Sequence, residues 1–175
     1  MRAPSKSSKQ SPSLKARALR LLSRREYSRK ELASKLVQLV RQNEEEPPKD
    51  LDIHIEEVLT DFEARGWLSD ERFANALVRR RSERFGVRRV ADELQRAGVE
   101  TGLIAQLTGE LKETEFERAK ALWARKFGQI SSEQKERARQ YRFLVSKGFS
   151  PDLVAKVIGG AQPPIRRIKA LKMLD

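Results

Sequence analysis

Apolar residues recur at spacings of three and four along most of this chain, and two-residue alternation is nearly absent. That periodicity predicts helices joined by short connections, with almost no strand. Ala18, Leu21 and Leu22 open the pattern, and Leu32, Leu36, Leu39 and Val40 carry a second helix. Ser28 and Glu31 precede that second face at capping-box spacing. The polar stretch RQNEEEPPKD interrupts the pattern, and Pro47 and Pro48 make it a loop. Ile55, Val58, Leu59 and Phe62 follow, closed by Gly66 as a C-cap. Ser69 is placed to cap the next helix, with Asp70 and Glu71 favourably in its first turn. Phe73, Ala76 and Leu77 are its expected apolar face, and Gly86 its expected break.

Val90 and Leu94 lead to Gly98, and Leu103, Ile104, Leu107 and Leu111 form a further stripe. Two more capping boxes are read at Thr114–Glu117 and Ser131–Gln134, before Leu122, Trp123 and Phe127 and before Tyr141, Leu144 and Val145. Gly148 closes that helix. Ser150, Pro151 and Asp152 then supply a cap, an N1 proline and a first-turn acid ahead of Leu153, Val154, Val157 and Ile158.

The order helix, tight break, helix, break, helix recurs. ALRLLSRREYSRKEL (18–32) lies over ALVRRRSERFGVRRV (76–90) without a gap, placing Ser28 on Gly86 and Leu32 on Val90. LQRAGVETGLIAQL (94–107) lies over LVSKGFSPDLVAKV (144–157), with Gly98 on Gly148, and ALWARKF (121–127) is read as a third copy of the ALV start. The expected fold is therefore all-α: three tandem three-helix repeats at 14–68, 69–113 and 114–160, forming an elongated, curved molecule. Each triplet is too small to bury much alone, so neighbours must stack. Trp67 and Trp123 are expected to pack repeats together. Residues 1–13 read as a disordered basic tail, and residues 161–175 as a hinge with a short basic amphipathic helix, IRRIKALKMLD.

Charge changes the picture. Thirty-seven Lys and Arg against 25 Asp and Glu leave a net +12 over 175 residues. Such an excess points to a polyanionic partner such as nucleic acid or an acidic protein surface. Six arginines fall within residues 76–94. Arg80, Arg81 and Arg84 share one stripe, Arg79 widens it, and Arg88 and Arg89 open the next helix, so a turn at Gly86 brings both groups to one edge. Guanidinium forks suit phosphates and carboxylates because they donate paired hydrogen bonds at fixed angles. Arg24, Arg25, Arg29 and Lys30 occupy the corresponding part of the first repeat, so the two edges are expected to form one basic stripe. Acids gather instead at 44–63, where nine face a single base, Lys49.

Other chemistries are poorly supplied. No cysteine is present, which removes disulfides and thiolate sites and suits a reducing cytoplasm. His54 is the single histidine, and neither GxxxxGK[ST] nor GxGxxG occurs, so no catalytic residue, metal site or cofactor is expected. No stretch approaches the ~20 apolar residues of a membrane helix. No dimer module is evident, and a monomer is expected.

ALRLLSRREYSRKEL, VLTDFEARGWLSDERFANALVRRR and GVRRVADELQRAGV resemble the RecX family of bacterial RecA regulators, with GWLSDERFA (66–74) the most distinctive stretch. The third repeat fits more loosely, and the acidic insertion at 43–52 departs from the family pattern. The resemblance implies a curved molecule of three three-helix repeats that binds the deep groove of the RecA nucleoprotein filament. It implies limitation of filament growth, and restraint of strand exchange, ATPase and co-protease activity, with weak nonspecific binding to single- and double-stranded DNA. The competing reading is a sequence-specific DNA-binding transcription factor built on helix-turn-helix-like pairs.

Overall fold

A computed structural model describes residues 12–43 and 48–159. The described residues form nine α-helices and no strand: α1 Leu14–Leu22, α2 Arg29–Asn43, α3 Leu51–Ala64, α4 Asp70–Ser82, α5 Val87–Arg96, α6 Thr101–Glu113, α7 Glu115–Phe127, α8 Gln134–Ser146 and α9 Pro151–Val157. No helix among them is long and apolar enough to cross a membrane. The expected tail and C-terminal helix fall outside the described residues, apart from Pro12 and Ser13, and so do Glu44, Glu45 and Glu46 of the acidic insertion.

The helices sort into two compact units, one reaching Ala76 and including Leu94–Glu100, the other formed by Leu77–Glu93 and the residues from Thr101 onward. Helices α4 and α5 are each divided between these two units. In the first unit α1, α2 and α3 close over Ala18, Leu32, Leu36, Leu59 and Phe62, all fully buried. Burying each of the larger of these side chains is worth about 1.5–3 kcal/mol. In the second unit α7, α8 and α9 close over Ala119, Leu144, Phe149, Val154 and Ile158.

Local signals decide where the helices begin and end. Ser28 Oγ accepts from the Glu31 N–H at 3.1 Å, Ser69 Oγ from Arg72 N–H at 3.2 Å, and Ser150 Oγ from Leu153 N–H at 3.4 Å. Helices α3, α5 and α8 end alike, on Gly66, Gly98 and Gly148 at positive φ, with Trp67, Val99 and Phe149 N–H donating back to Phe62, Leu94 and Leu144. None of the three capping boxes forms in full among the described residues. Glu31 turns to Arg25; Thr114 Oγ1 donates to Leu111 O instead of capping; Ser131 accepts from Glu133 N–H, one residue short of Gln134.

Gly86 does not end a helix. Helix α4 stops at Ser82, and Gly86 precedes α5 with its N–H donating to Lys147 O at 2.9 Å. A Cβ there would lie 2.4 Å from the backbone of Gly148 and Phe149, so the glycine serves close approach. The equivalent Ser28 makes the corresponding contact through its side chain, donating to Ala97 O at 2.7 Å. Acids complete the parallel. Asp70, first residue of α4, accepts from the Arg29 N–H opening α2, and Glu115, first residue of α7, accepts from the Val87 N–H opening α5, both at 2.7 Å. Each first-turn acid therefore caps a helix of the preceding triplet, and the two joints use equivalent positions.

The first helices obey a different register from the one the gapless alignment expects. Leu19 is 44% exposed whereas its aligned partner Leu77 is buried. The buried pairs Ala18–Leu21, Ala74–Leu77 and Ala119–Leu122 instead mark equivalent positions, so the buried alanine of α4 is Ala74, not Ala76. The offset between α1 and α4 differs by two residues from that between α2 and α5, because α4 runs on past its buried face through Arg79, Arg80 and Arg81.

Candidate nucleic-acid interface

Arg79, Arg80 and Arg81 occupy the last turn of α4, where cationic side chains are favourable beside unsatisfied carbonyls. Arg84 lies in the short connection, and Arg88 and Arg89 in the first turn of α5. The six then part company. Arg81 Nε donates to Glu93 Oε2 at 2.8 Å, and Arg89 Nε lies 3.7 Å from Glu93 Oε1. Both guanidinium groups also sit over the ring of Phe85, 5.4 and 4.6 Å from its centre. Arg79, Arg80, Arg84 and Arg88 are exposed, and their side chains have no hydrogen bond or ion pair among the described residues. Their charge is left for solvent or a partner.

The first-repeat candidates divide in the same way. Arg29 reaches across to α3, its guanidinium shared among Glu63, Glu56 and Thr60, which binds α2 to α3. The hydrogen bond to Glu56 raises its pKa further above an already high value, against the opposing effect of burial. Arg29, placed by the sequence reading in the basic edge, is thus partnered by two acids of α3. Arg25 lies 3.6 Å over the Tyr27 ring and pairs with Glu31 at 2.9 Å. Arg24 and Lys30 remain exposed and unpaired among the described residues. Lys30 also lies against Gly98, where a Cβ would be 3.0 Å from its stem.

Tyr27 and Phe85 are equivalent by alignment, and Tyr27 holds one cation over its ring where Phe85 holds three. The aromatic partners were missed in the sequence because ring stacking depends on which helices meet, although the tyrosine–phenylalanine match in the aligned stretches was there to be seen. Further cations belong to this set. Lys147 Nζ lies 5.4 Å from the centre of Phe85 and 5.6 Å from that of Phe143, and Lys126 Nζ lies 4.2 Å from Phe143. Arg118 was also missed. It donates to the carbonyls of Phe85 at 3.0 Å and Leu111 at 2.9 Å, and to Ser82 O, so it ties off the ends of α4 and α6. Burial holds its pKa below the ordinary arginine value, against the opposing effect of Glu115.

Neither tryptophan behaves as expected at a repeat junction. Trp123 is buried in the core of α7, α8 and α9 with its Nε1–H donating to Gln140 at 3.1 Å. Trp67 is 45% exposed, its ring edge-on to Phe62 and Arg65 over it at 5.1 Å. The acids of α3 are partly spoken for: Asp61 accepts from Arg65 at 2.7 Å and Lys15 at 2.9 Å, and these bonds lower its carboxyl pKa. No group of three or more His, Asp or Glu among the described residues could hold a metal ion.

The arrangement thus offers exposed guanidinium groups beside ring-seated cations, and the matches to known proteins agree with the helical design. Models for the third and second three-helix domains of RecX match residues 113–158 and 69–107. The chain is 45% identical over 146 residues to regulatory protein RecX of Leptothrix cholodnii, covering 83% of this chain and 87% of that one. It is 40% identical over 149 residues to the corresponding protein of Ralstonia pickettii, covering 85% and 88%. A crystal structure of RecX from Lactobacillus salivarius superposes with a TM-score of 0.63 at 20% identity over 83% of this chain and 92% of that one, a likeness of fold. With two of its triplets matched by domain models and its length matched by relatives named as regulators, the chain belongs to the RecX family of regulatory proteins.

Proposed function

We propose that this protein is a non-enzymatic regulator that binds in the groove of the RecA–DNA filament and mainly inhibits RecA: its filament growth, strand exchange, ATPase and co-protease activity. It would act as a monomer in the cytoplasm, in homologous recombination and the SOS response. Family membership supports the regulatory role. The observation that carries the mode of binding is the cluster Arg79, Arg80, Arg84 and Arg88, whose charge no described acid neutralises. Desolvating such groups without a partner is costly, so they stay hydrated until an anion arrives. DNA phosphate or an acidic RecA surface supplies that anion, and Arg24 and Lys30 offer the same chemistry by themselves in the first triplet. Arg81 and Arg89 are held back by Glu93 and set the shape of the edge.

The test is RecA-catalysed ATP hydrolysis on single-stranded DNA, titrated with the wild-type protein and with an R79A/R80A/R84A/R88A variant of unchanged helicity. Wild type should suppress hydrolysis and the variant should not. Suppression by both at equal concentration would remove the arginine assignment, and its absence with saturating wild type would remove the regulator reading. The transcription-factor alternative keeps its support from helix pairs joined by tight turns; it demands strong preference for one duplex sequence, where a filament regulator shows little.

A further inference from the structure

Phosphate-binding chemistry does not stop at the arginines of α4 and α5. Lys126, in the last turn of α7, and Lys147, which caps α8, pair with no described carboxylate. Each is instead placed by an aromatic face: Lys126 by Phe143, Lys147 by Phe143 and Phe85. A ring face attracts a cation without cancelling its charge, so an anion can still bind. Phe85 carries Arg81 and Arg89 as well. Lys126 therefore shares a ring with Lys147, and Lys147 shares the next with the two arginines. Successive charges can be no farther apart than their two ring distances together, comparable with the Debye length of about 10 Å at 0.1 M salt. The two lysines therefore act on one ligand together, beside two arginines that share one carboxylate. The backbone fixes this adjacency, since the Gly86 N–H donates to the carbonyl of Lys147 itself.

Resting on the regulator reading above, the geometry points to Lys126 and Lys147 as phosphate contacts in a track for single-stranded DNA, with Phe143 and Phe85 as the rings between them. Cations held in a row by half-buried phenylalanines match the regularly repeating phosphates of a flexible single strand, and need no base sequence. An acidic protein surface holds its carboxylates at fixed places, whereas a flexible strand can bring a phosphate to each cation in turn. Glu93 is the one carboxylate paired with these cations among the described residues, and it lies at the arginine end of the track.

The experiment is fluorescence anisotropy with a labelled thymidine 30-mer, at salt concentrations from 50 to 200 mM, on the full chain. Single-strand binding loses about 0.7 in the slope of log K against log[salt] for each phosphate contact removed. K126A/K147A should therefore reduce the slope by about 1.4, K126R/K147R should retain it, and F143A should weaken binding while leaving the protein helical. An unchanged slope in K126A/K147A, with a reduced slope in R79A/R80A, would overturn this track and leave the arginine edge standing. Unchanged slopes in both would remove both. Stronger competition by polyglutamate than by unlabelled thymidine 30-mer, abolished in K126A/K147A, would assign the lysines to an acidic protein and overturn the proposal.

Discussion

Replacing Gly86 with alanine adds a single methyl group at the joint between the second and third triplets. That methyl would lie 2.4 Å from the carbonyl carbon and oxygen of Gly148 and from the amide nitrogen of Phe149. All three are backbone atoms, so no side chain can swing aside. Overpacking of this kind costs typically 1–3 kcal/mol. Relief requires α5 to move from α8, stretching the Gly86 N–H to Lys147 O bond, now 2.9 Å, which is worth about 1 kcal/mol more. The expected loss is on the order of 2–4 kcal/mol, or a fall in Tm of roughly 4–16 °C for a protein of this size. Gly109 is the matched control. It lies inside α6 with nothing within 4 Å of an added Cβ, so Gly109→Ala should stabilise by about 0.5–1 kcal/mol through helix propensity. Circular dichroism melts of both variants beside wild type decide the matter. A Gly86→Ala protein that melts at or above the wild-type temperature would refute the close-approach argument, and with it the reason the second joint carries glycine where the first carries Ser28.

Other residues give equally specific expectations. Glu115→Ala should leave the buried Val87 N–H without an acceptor and cost about 1–3 kcal/mol in urea denaturation, with Asp70→Ala acting likewise on Arg29 N–H. Arg118→Lys should cost nearly as much as Arg118→Ala, on the order of 2–4 kcal/mol, because one ammonium cannot reach carbonyls at the ends of both α4 and α6. Asp61 has a carboxyl pKa held below its ordinary 3.8 by Arg65 and Lys15, so the stability it contributes is present above that pH and lost as pH falls through the lowered value. Asp61→Asn should therefore flatten the acid limb of a stability–pH curve measured below about pH 4, without changing its neutral plateau's shape.

How much of this was readable in the sequence differs by level. Helix faces and glycine C-caps depend on neighbours three to five residues away, so Phe62, Leu94 and Leu144 with Gly66, Gly98 and Gly148 were legible at once. The register of the first helices was not. Alanine–leucine pairs abound, and ALV and ALW matched by letter where Ala74–Leu77 and Ala119–Leu122 match by burial. The arginines were legible as a cluster, but their availability was not. Whether a guanidinium faces solvent or an acid depends on a residue far along the chain, as Arg29 depends on Glu56 and Glu63. Lys126, Lys147 and Arg118 escaped notice for the same reason: alone in sequence each is an ordinary surface cation, and only the fold sets the lysines on Phe143 and Phe85 and Arg118 on the carbonyls of Ser82, Phe85 and Leu111.

The central claim is that unpaired guanidinium groups at the α4–α5 turn deliver a regulator to its filament. The most direct measurement is the concentration at which the protein halves ATP hydrolysis by RecA filaments on single-stranded DNA, compared between wild type and R79A/R80A/R84A/R88A at 50 and 200 mM salt. Inhibition by wild type should weaken with salt, and the variant should lose much of its potency at low salt. Equal, salt-independent potency of the two proteins would contradict it.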